Sequence, residues 1–357
     1  MRTRLPALLL AACAASGCAS LADQIVAPST DTTFERLVSP ADEQGLGITR
    51  GDWRTPDGVT LAYRVVPAAR RGSRYEFERH ASGGGSFTFH MKDDAAPTPV
   101  PVRGTVVYLS GWGESGASML PWALVLAERG YRGVAVDLRD TGHSSRAPIG
   151  FGPREAQDVA ALLMHLREES ELPQPVYLFG VSYGAATALF AEQPLRGRLA
   201  GIVAMEPYAN AADAIRTMVP GVRRAMANGR IARLALKVTA FRYDDAAVEH
   251  AIADLDHRLD LDLAAIDLHV PVAQSQTCTL LLHGARDNWI PVAGSRSLAH
   301  AAPQLHYVEL PAEGHLTLPL RIDWLAEPVS GWFARAGHGE CTDLALPSDP
   351  AGILATQ

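Results

Sequence analysis

Short apolar runs alternate with longer segments of helical spacing over the last two thirds of the chain. The apolar runs predict buried strands at Thr105–Leu109, Gly133–Asp137, Val176–Phe179, Leu199–Met205, Thr279–His283 and Leu305–Leu310. The segments between them predict helices, among them Ser118–Arg129 and Pro153–Glu169. Strands that alternate with helices of this length predict a parallel, doubly wound sheet with functional residues at the C-terminal ends of its strands.

Two earlier segments, Val59–Val66 and Ser86–Met91, show the alternation of apolar and polar positions that is typical of strands with one exposed face. Each follows a turn signal rich in Gly, Pro or Asp. We expect antiparallel edge strands that lead into the sheet. The predicted catalytic domain then covers 51–335, and 336–357 forms a C-terminal tail.

About 70 residues separate Met205 from Cys278, which is more than a connection from a strand to a helix needs. The spacing predicts a helical cap over the site at about 207–275. Its first part, 214–242, is basic, and the following part, 243–269, is acidic. Two interpretations stay open: the helices pair these charges with each other, or the basic part faces anionic lipid headgroups or an acidic substrate.

The N-terminus has the form of a secretory signal peptide, with basic residues first, then a short apolar run, then small residues. It ends in Ala15-Ser16-Gly17-Cys18, which resembles a bacterial lipoprotein box whose cysteine is acylated and becomes the new N-terminus. We therefore expect a leader at 1–17, a lipid on Cys18 and a tether at 18–50. Ordinary cleavage, with Cys18 incidental, is the alternative.

The residue after that cysteine, Ala19, is not the Asp associated with retention in the inner membrane. The resemblance thus implies an anchor in the outer membrane of the bacterial envelope, with the domain facing the periplasm. One partner of the protein would then be the membrane itself, through the lipid anchor.

Composition narrows the class of protein. The 357 residues are 47% apolar, which is enough for a large core, and the net charge is −7. Loss of Arg2 and Arg4 with the leader makes the chain more acidic, which argues against nucleic acid as a partner. No H-E-x-x-H or C-x-x-C spacing occurs, so we expect no metal and no organic cofactor. The sequence does not determine the oligomeric state.

The motif G-x-S-x-G stands at Gly180-Val181-Ser182-Tyr183-Gly184, between the predicted strand Val176–Phe179 and a helical run at Ala185–Gln193. In this strand–turn–helix setting the serine lies on a sharp turn with its hydroxyl exposed at the edge of the sheet. The chain therefore resembles the α/β-hydrolase family over residues 104–335. The resemblance implies the α/β-hydrolase fold, a mostly parallel sheet with a helical cap insertion, and Ser182 as nucleophile.

The same resemblance implies the order Ser, then Asp or Glu, then His for the other two catalytic residues. His315, in Pro311-Ala312-Glu313-Gly314-His315 after the last predicted strand, fits the base. Asp287, in a run that resembles the family's H-G-x-x-D, fits the carboxylate that orients it. Glu206, directly after the strand Leu199–Met205, is the alternative acid.

An oxyanion hole in this family uses two backbone N–H groups. The resemblance assigns them to Tyr183, which follows the nucleophile, and to Trp112, in the turn after Thr105–Leu109. That turn has Ser110-Gly111 where the family commonly has His-Gly. The stretch 137–144 resembles another family turn, with Asp140 in place of a glycine, and we interpret it as structural support.

These residues predict a serine hydrolase that cleaves a small-molecule carboxylic ester through an acyl-enzyme. The apolar stripe of the cap, with Trp112 and Met119–Leu120, suggests a pocket for short to medium acyl chains. An aminopeptidase or amidase of the same fold is the alternative. A relative without activity that binds a ligand is the other class left open.

Two cysteines, Cys278 and Cys341, remain in the mature chain besides Cys18. An oxidising compartment favours their pairing, and the bridge would pin the C-terminal tail beside the strand that leads to Asp287. Two unrelated buried thiols are the alternative, because spacing along the chain does not give distance.

Overall fold

A computed structural model of the chain describes residues 20–27, 38–80, 84–90, 96–226 and 243–350, with the backbone alone for 222–226. The strands in these ranges are β1 (Thr49–Arg54), β2 (Thr60–Val66), β3 (Ala69–Arg70), β4 (Arg74–Arg79), β5 (Gly85–His90), β6 (Thr98–Pro99), β7 (Gly104–Leu109), β8 (Tyr131–Val136), β9 (Val176–Val181), β10 (Gly201–Met205), β11 (Thr279–Gly284) and β12 (Leu305–Leu310).

The helices in the same ranges are α1 (Leu21–Val26), α2 (Pro40–Gly45), α3 (Leu120–Ala127), α4 (Pro153–Glu168), α5 (Tyr183–Ala191), α6 (Ala211–Met226), α7 (Asp245–Leu259), α8 (His269–Gln274), α9 (Val292–Leu298) and α10 (Ile322–Ala336). Short 3-10 turns lie at Gly116–Met119 and Leu318–Leu320. No described helix combines the length and the apolar character that crossing a membrane requires.

Eight strands form the central sheet in the order β1-β2-β8-β7-β9-β10-β11-β12. The six strands from β8 to β12 run parallel, and β1 and β2 join antiparallel at one edge. Every residue of β7, β9, β10 and β11 is buried, as expected for parallel strands covered on both faces. The predicted α/β-hydrolase fold with a mostly parallel, doubly wound sheet is confirmed.

Two apolar layers cover the sheet. Helices α4 and α5 bury their inner faces on one side, in a cluster that also takes in the cap helices α6 and α7. Helices α3 and α10 bury theirs on the other side, around Trp122 and Trp332. The sheet is therefore a rigid support on which the loops at the strand ends can be held in fixed positions.

The chain changes direction across the sheet between β7 and β9. From β7 it moves outward to β8, and it then crosses back to place β9 on the other side of β7. At such a switch point the loops after two neighbouring strands diverge and leave a crevice at their carboxyl ends. Trp112 follows β7 and Ser182 follows β9, so the fold brings them to this crevice.

The described parts of 18–50 are folded, in contrast to the expected tether. Helix α1 buries Ala22 and Ile25 in the core, and its Asp23 pairs with Arg258 of α7 at 2.5 Å. Helix α2 buries Glu43, whose carboxylate pairs with Arg64 of β2 at 2.9 Å. Apolar side chains on short helical turns account for the difference. The predicted leader 1–17 and Cys18 lie outside the described residues.

The predicted strand Ser86–Met91 forms, as β5. The expectation that it leads into the central sheet is wrong. It pairs antiparallel with β4 in a separate two-stranded sheet. Aromatic residues of this hairpin face α10 and the 3-10 turn at Leu318–Leu320, where the Tyr75 hydroxyl donates to the carbonyl of Leu320 over 2.9 Å. The burial of that aromatic face explains why the hairpin docks on a helix instead of extending the sheet.

A disulfide joins Cys278, directly before β11, to Cys341, just past α10, with their Cα atoms 5.2 Å apart. The chain between Cys341 and Leu344 lies against α10, and the indole Nε1 of Trp332 donates to the carbonyl of Thr342 over 3.0 Å. The tail is thus held on the α10 face of the sheet, on the side away from the cap helices.

The insertion after β10 contains α6, α7 and α8 among the described residues. Arg216 of α6 pairs with Glu249 of α7 at 2.7 Å and with Asp213 of its own helix at 2.9 Å. At this arginine the charges of the basic and acidic parts pair across two helices. The basic residues of 227–242 lie outside the described residues.

Candidate active site

Ser182 occupies the sharp turn between β9 and α5. Its φ of 52° and ψ of −112° are a strained combination for a residue with a side chain. The backbone N–H of Ser182 donates to the carbonyl of Met205 over 2.8 Å, which ties the turn to β10. A Cβ at Gly180 would lie 2.2 Å from the carbonyl oxygen of Gly184, so the two glycines of the motif are required by the closeness of the backbone.

His315 bridges the serine and the aspartate. Its Nε2 lies 2.9 Å from the Ser182 hydroxyl oxygen, and its Nδ1 lies 2.7 Å from Oδ2 of Asp287. A carboxylate accepts only, so in the neutral imidazole Nδ1 carries the proton and Nε2 accepts from the serine hydroxyl. The three residues that the sequence predicts as a triad therefore form one continuous hydrogen-bonded chain.

Asp287 is fixed by its own loop. Its Oδ1 accepts from the N–H groups of Trp289 and Ile290, each over 2.8 Å, and Nε2 of His283 lies 3.3 Å from its Oδ2. Burial raises the pKa of Asp287, but the charge of His315 and the hydrogen bonds from both histidines outweigh burial and hold the pKa below its usual value. Asp287 is thus a stable anion beside His315.

His315 is almost covered, with 9% of its side chain exposed. The ring of Trp289 lies against the imidazole with the ring centres 5.4 Å apart. Burial lowers the pKa of His315. The charge and hydrogen bond of Asp287, together with the charges of Glu206 and Glu114, outweigh burial and raise the pKa to about 9. The imidazolium that forms during proton transfer is therefore stabilised.

The turn after β7 runs directly beside the nucleophile. A Cβ at Gly111 would lie 3.8 Å from the Cβ of Ser182, which places the next residue, Trp112, at the crevice. The hydroxyl of Ser110 donates to the carbonyl of Glu114 over 3.0 Å and braces the turn. Ser110 thus supplies from its side chain a brace for this turn, where the family commonly has a histidine.

Two backbone N–H groups stand near Ser182. Tyr183 is the first residue of α5, so its N–H has no partner within the helix. The positive N-terminal end of the helix dipole faces the serine. The N–H of Trp112 makes no hydrogen bond to any described residue. Both positions suit an oxyanion that forms on a carbonyl attacked by Ser182.

The side chain of Trp112 is held from an unexpected direction. Its indole Nε1 donates to the carbonyl of Ile25 in α1 over 3.1 Å. Helix α1 lies in the segment that the sequence predicts as a tether, and this contact was not predicted. The available signal was the pair Ser20 and Asp23, which form a capping box and mark a helix start.

The turn 137–144 supports the loop that follows β7. Asp137 accepts at Oδ1 from the N–H of Gly116 and at Oδ2 from the N–H of His143, each over 2.7 Å. Asp140, which replaces a glycine of the family's turn, has a φ of 64°, a conformation that Asp adopts more readily than most residues. The turn is structural, as predicted.

Glu206, the alternative acid, also lies beside His315. It is fully buried, and its Oε2 is 3.7 Å from Nδ1 of His315, against 2.7 Å for Asp287. Burial raises the pKa of Glu206 to about 7. The geometry thus gives Asp287 the hydrogen bond and leaves Glu206 within electrostatic reach.

Glu206, Asp287 and His315 are the described residues whose possible metal-ligating atoms lie within 4.8 Å of one another. Both nitrogens of His315 are already hydrogen-bonded to Asp287 and Ser182. The cluster is therefore fully accounted for as a proton-transfer chain, and we assign no metal ligands. The predicted absence of a metal stays a prediction.

The cap reaches the loop that carries Asp287. A Cβ at Gly221 of α6 would lie 2.4 Å from the carbonyl oxygen of Asn288. Helix α6 therefore passes against the Asn288–Trp289 segment, and Trp289 in turn covers His315. The predicted cap borders the site at this point.

Solved structures with this fold include several hydrolases. An esterase from Pyrococcus furiosus is 18% identical over 84% of this chain and 95% of that chain, with a TM-score of 0.54. An esterase from Exiguobacterium antarcticum is 15% identical over 79% and 98%, with a TM-score of 0.52. A bacterial membrane phospholipase A is 15% identical over 86% and 93%, with a TM-score of 0.54. At these identities the likeness shows a shared fold.

A comparison with curated proteins gave no match. Residues 100–318 match the family Hydrolase_4, described as serine aminopeptidase, S33. The match spans more than half of the chain, and it covers the turns of Trp112, Ser182, Asp287 and His315. The chain therefore belongs to this S33 family of α/β-fold serine hydrolases.

Proposed function

We propose that the protein is a serine esterase that cleaves small carboxylic esters through an acyl-enzyme. The observation that carries the proposal is the continuous chain from the Ser182 hydroxyl through His315 to Asp287, with contacts of 2.9 and 2.7 Å. A hydroxyl is a weak nucleophile at neutral pH unless a base takes its proton as it attacks. The chain supplies that base and orients it.

In the first half-reaction, Oγ of Ser182 attacks the ester carbonyl while Nε2 of His315 takes the hydroxyl proton. The N–H groups of Trp112 and Tyr183 stabilise the negative oxygen of the tetrahedral intermediate. The intermediate collapses when the C–O bond to the leaving group breaks and His315 returns the proton to the alcohol. His315 then takes a proton from a water molecule as the water attacks the acyl-enzyme. The bond between the acyl carbon and Oγ breaks, the acid is released, and His315 returns the proton to Ser182.

The choice of ester over amide rests on the charges at the crevice. An aminopeptidase needs an acidic side chain for the substrate's ammonium group. Glu206 is fully buried and faces Nδ1 of His315, on the side away from Ser182. The apolar side chains next to the triad, Trp112, Trp289 and the 54% exposed Leu316, favour an uncharged acyl group.

Aminopeptidase activity is the second candidate, and one observation favours it. A Cβ at Gly111 would lie 3.4 Å from Oε2 of Glu114, so a carboxylate stands on the turn beside Ser182. The described family is also one of serine aminopeptidases. A substrate ammonium near Glu114 is therefore the alternative mode of recognition.

The preference for short to medium acyl chains remains part of the proposal. Met119 and Leu120, which the sequence predicts at the pocket, are buried in the core on the α3 side of the sheet. The proposed preference therefore depends on Trp112, Trp289 and Leu316. We also propose a lipid anchor on Cys18 that holds the enzyme at the outer membrane, facing the periplasm.

A substrate profile tests the proposal. We expect kcat/KM on p-nitrophenyl esters to rise about fourfold for each added methylene, from about 0.8 kcal/mol of burial, and to stop rising at short to medium length. Aminoacyl p-nitroanilides should be slower than the best ester, and Ser182→Ala protein supplies the blank. Faster cleavage of the anilides would replace the esterase with the aminopeptidase, and Glu114→Gln would then weaken anilide binding.

A further inference from the structure

Glu206, a residue outside the triad, is held in one orientation by its backbone. It follows β10 directly, and its φ of 55° lies in the left-handed region, which few residues with side chains adopt. Its N–H donates to the carbonyl of Leu282 over 2.8 Å. This backbone geometry turns the carboxyl group inward, toward the loops that carry Asp287 and His315.

Only one oxygen of Glu206 has a hydrogen-bond partner among the described residues. Oε1 accepts from the N–H of Gly284 over 3.3 Å, whereas Oε2 is buried with no partner. Buried polar atoms without partners are rare because they lose hydration and gain nothing in return. The atom that Oε2 faces is Nδ1 of His315, at 3.7 Å.

We propose that Glu206 is a positioning residue, a second carboxylate that shares the charge of the His315 imidazolium with Asp287 and takes over its Nδ1 when Asp287 is absent. The inference rests on the proposed roles of Ser182 and His315. It involves no new bond in the reaction, because the Nδ1 proton stays on His315 throughout and the protons of Ser182 and of water are transferred at Nε2.

The charges around Glu206 allow this role. Asp287 and His315 face it from the two catalytic loops, and His283 faces it from β11. Both ring nitrogens of His283 are engaged, since Nδ1 lies 2.7 Å from the hydroxyl oxygen of Ser295 and Nε2 donates to the carbonyl of Ile290 over 3.0 Å. Glu114 acts on His315 from the turn after β7.

The protonation of Glu206 responds to His315. Burial raises the pKa of Glu206 to about 7, while the positive charge of His315 lowers it. A negative Glu206 in turn raises the pKa of His315. Loss of that charge must therefore let His315 lose its proton at a lower pH. The acidic limb of the kcat/KM profile must then shift to lower pH.

The experiment compares Asp287→Ala, Glu206→Gln and the double variant on the best p-nitrophenyl ester. Gln keeps the Oε1 that accepts from Gly284 and removes the charge. We expect Glu206→Gln alone to change kcat only slightly and to move the acidic limb of kcat/KM to lower pH. Asp287→Ala should keep about 100-fold more activity than the double variant, which loses roughly 10⁴-fold, as expected when a triad histidine has no carboxylate.

Glu192→Gln is the matched control. Glu192 is also a buried glutamate whose Oε2 has no hydrogen-bond partner and lies 3.7 Å from a cation, the guanidinium of Arg196. It stands just past the far end of α5, away from Ser182. In the Asp287→Ala background it should leave both the activity and the pH profile unchanged. Equal effects of Glu192→Gln and Glu206→Gln would show that buried charge in general is responsible and would overturn the proposal.

Two other results overturn it: equal activities of Asp287→Ala and the double variant, or an acidic limb that Glu206→Gln does not move. If Asp287→Ala does not fold, the pH profile of Glu206→Gln decides the question alone. Failure of the proposed function would look different, because Ser182→Ala would then hydrolyse the ester as fast as the wild type.

Discussion

The indole of Trp112 is tied to the carbonyl of Ile25 by a hydrogen bond of 3.1 Å. Trp112 belongs to the turn beside Ser182, and Ile25 belongs to α1, near the N-terminus of the described chain. Helix α1 is itself fixed to the cap, since Asp23 pairs with Arg258 of α7. The N-terminal segment therefore joins the cap to the turn that carries Trp112.

We predict that Trp112→Phe lowers kcat about 2- to 10-fold with little change in fold. The substitution keeps an aromatic ring but removes the indole donor, and such a bond contributes about 0.5–1.5 kcal/mol. Steady-state kinetics on the best ester measure the effect. Trp53→Phe, at a tryptophan that stacks on His165 with ring centres 5.1 Å apart, is the control. An unchanged kcat for Trp112→Phe would show that α1 does not position the turn.

Ser182→Ala should fold like the wild type and lose roughly 10⁴-fold or more in turnover, because the acyl-enzyme cannot form. A fluorophosphonate probe should label the wild type and leave the variant unlabelled. Circular dichroism and thermal unfolding confirm that the variant is folded. A properly folded wild type that does not react with the probe would point to a protein that binds a ligand without turning it over.

The pH dependence of kcat/KM should report the raised pKa of His315. The base must be neutral to accept the serine proton, and the neighbouring carboxylates raise its pKa to about 9. The protonated, inactive form therefore persists above the usual histidine value of about 6.5. We expect kcat/KM to keep rising between about pH 7 and 9. A plateau that begins near pH 6 would contradict this ionisation.

Removal of the disulfide by Cys278→Ser with Cys341→Ser should lower the free energy of unfolding by about 4 kcal/mol, for a sequence separation of 63 residues. Urea unfolding measures the loss. The esterase activity should stay close to wild type, because the bridge lies on the α10 side of the sheet. Mass spectrometry without reduction is the first check, and two free thiols in the purified protein would remove the basis for the prediction.

Cys18→Ser should abolish incorporation of labelled palmitate and release the enzyme from the membrane fraction, because the thioether and the new acylated N-terminus both need this cysteine. Fractionation of cells that express each form is the measurement. Cys13→Ser, within the predicted leader, is the control and should leave labelling intact. Label on the Cys18→Ser protein would rule out the proposed anchor.

The sequence predicts the sheet and the triad because both depend on local patterns. The β12 strand occurs at the predicted Leu305–Leu310, since a short segment with Leu, Tyr and Val between turns favours a strand. Ser182 and His315 follow strands whose parallel arrangement brings their ends to one edge. The order along the chain then suffices to find the residues.

The missed elements depend on distant contacts. Helix α1 is too short to be stable alone and exists because Ala22 and Ile25 are buried against the cap. Strand β1 pairs with β2 at the sheet edge within a segment interpreted as tether and domain boundary. The motif around Asp287 ranks it above Glu206 in the sequence, and Asp287 lies nearer to Nδ1 of His315, at 2.7 against 3.7 Å.

The short connection from residue 18 to α1 limits how far the crevice can lie from an anchor. Leu21, the first residue of α1, follows Cys18 by three positions along the chain, which spans at most about 11 Å when fully extended. If Cys18 carries a lipid, the folded domain stays close to the membrane surface and cannot move far into the surrounding solution. Its search for substrate then becomes two-dimensional, and esters that partition into the bilayer surface reach it at a higher local concentration than those in solution.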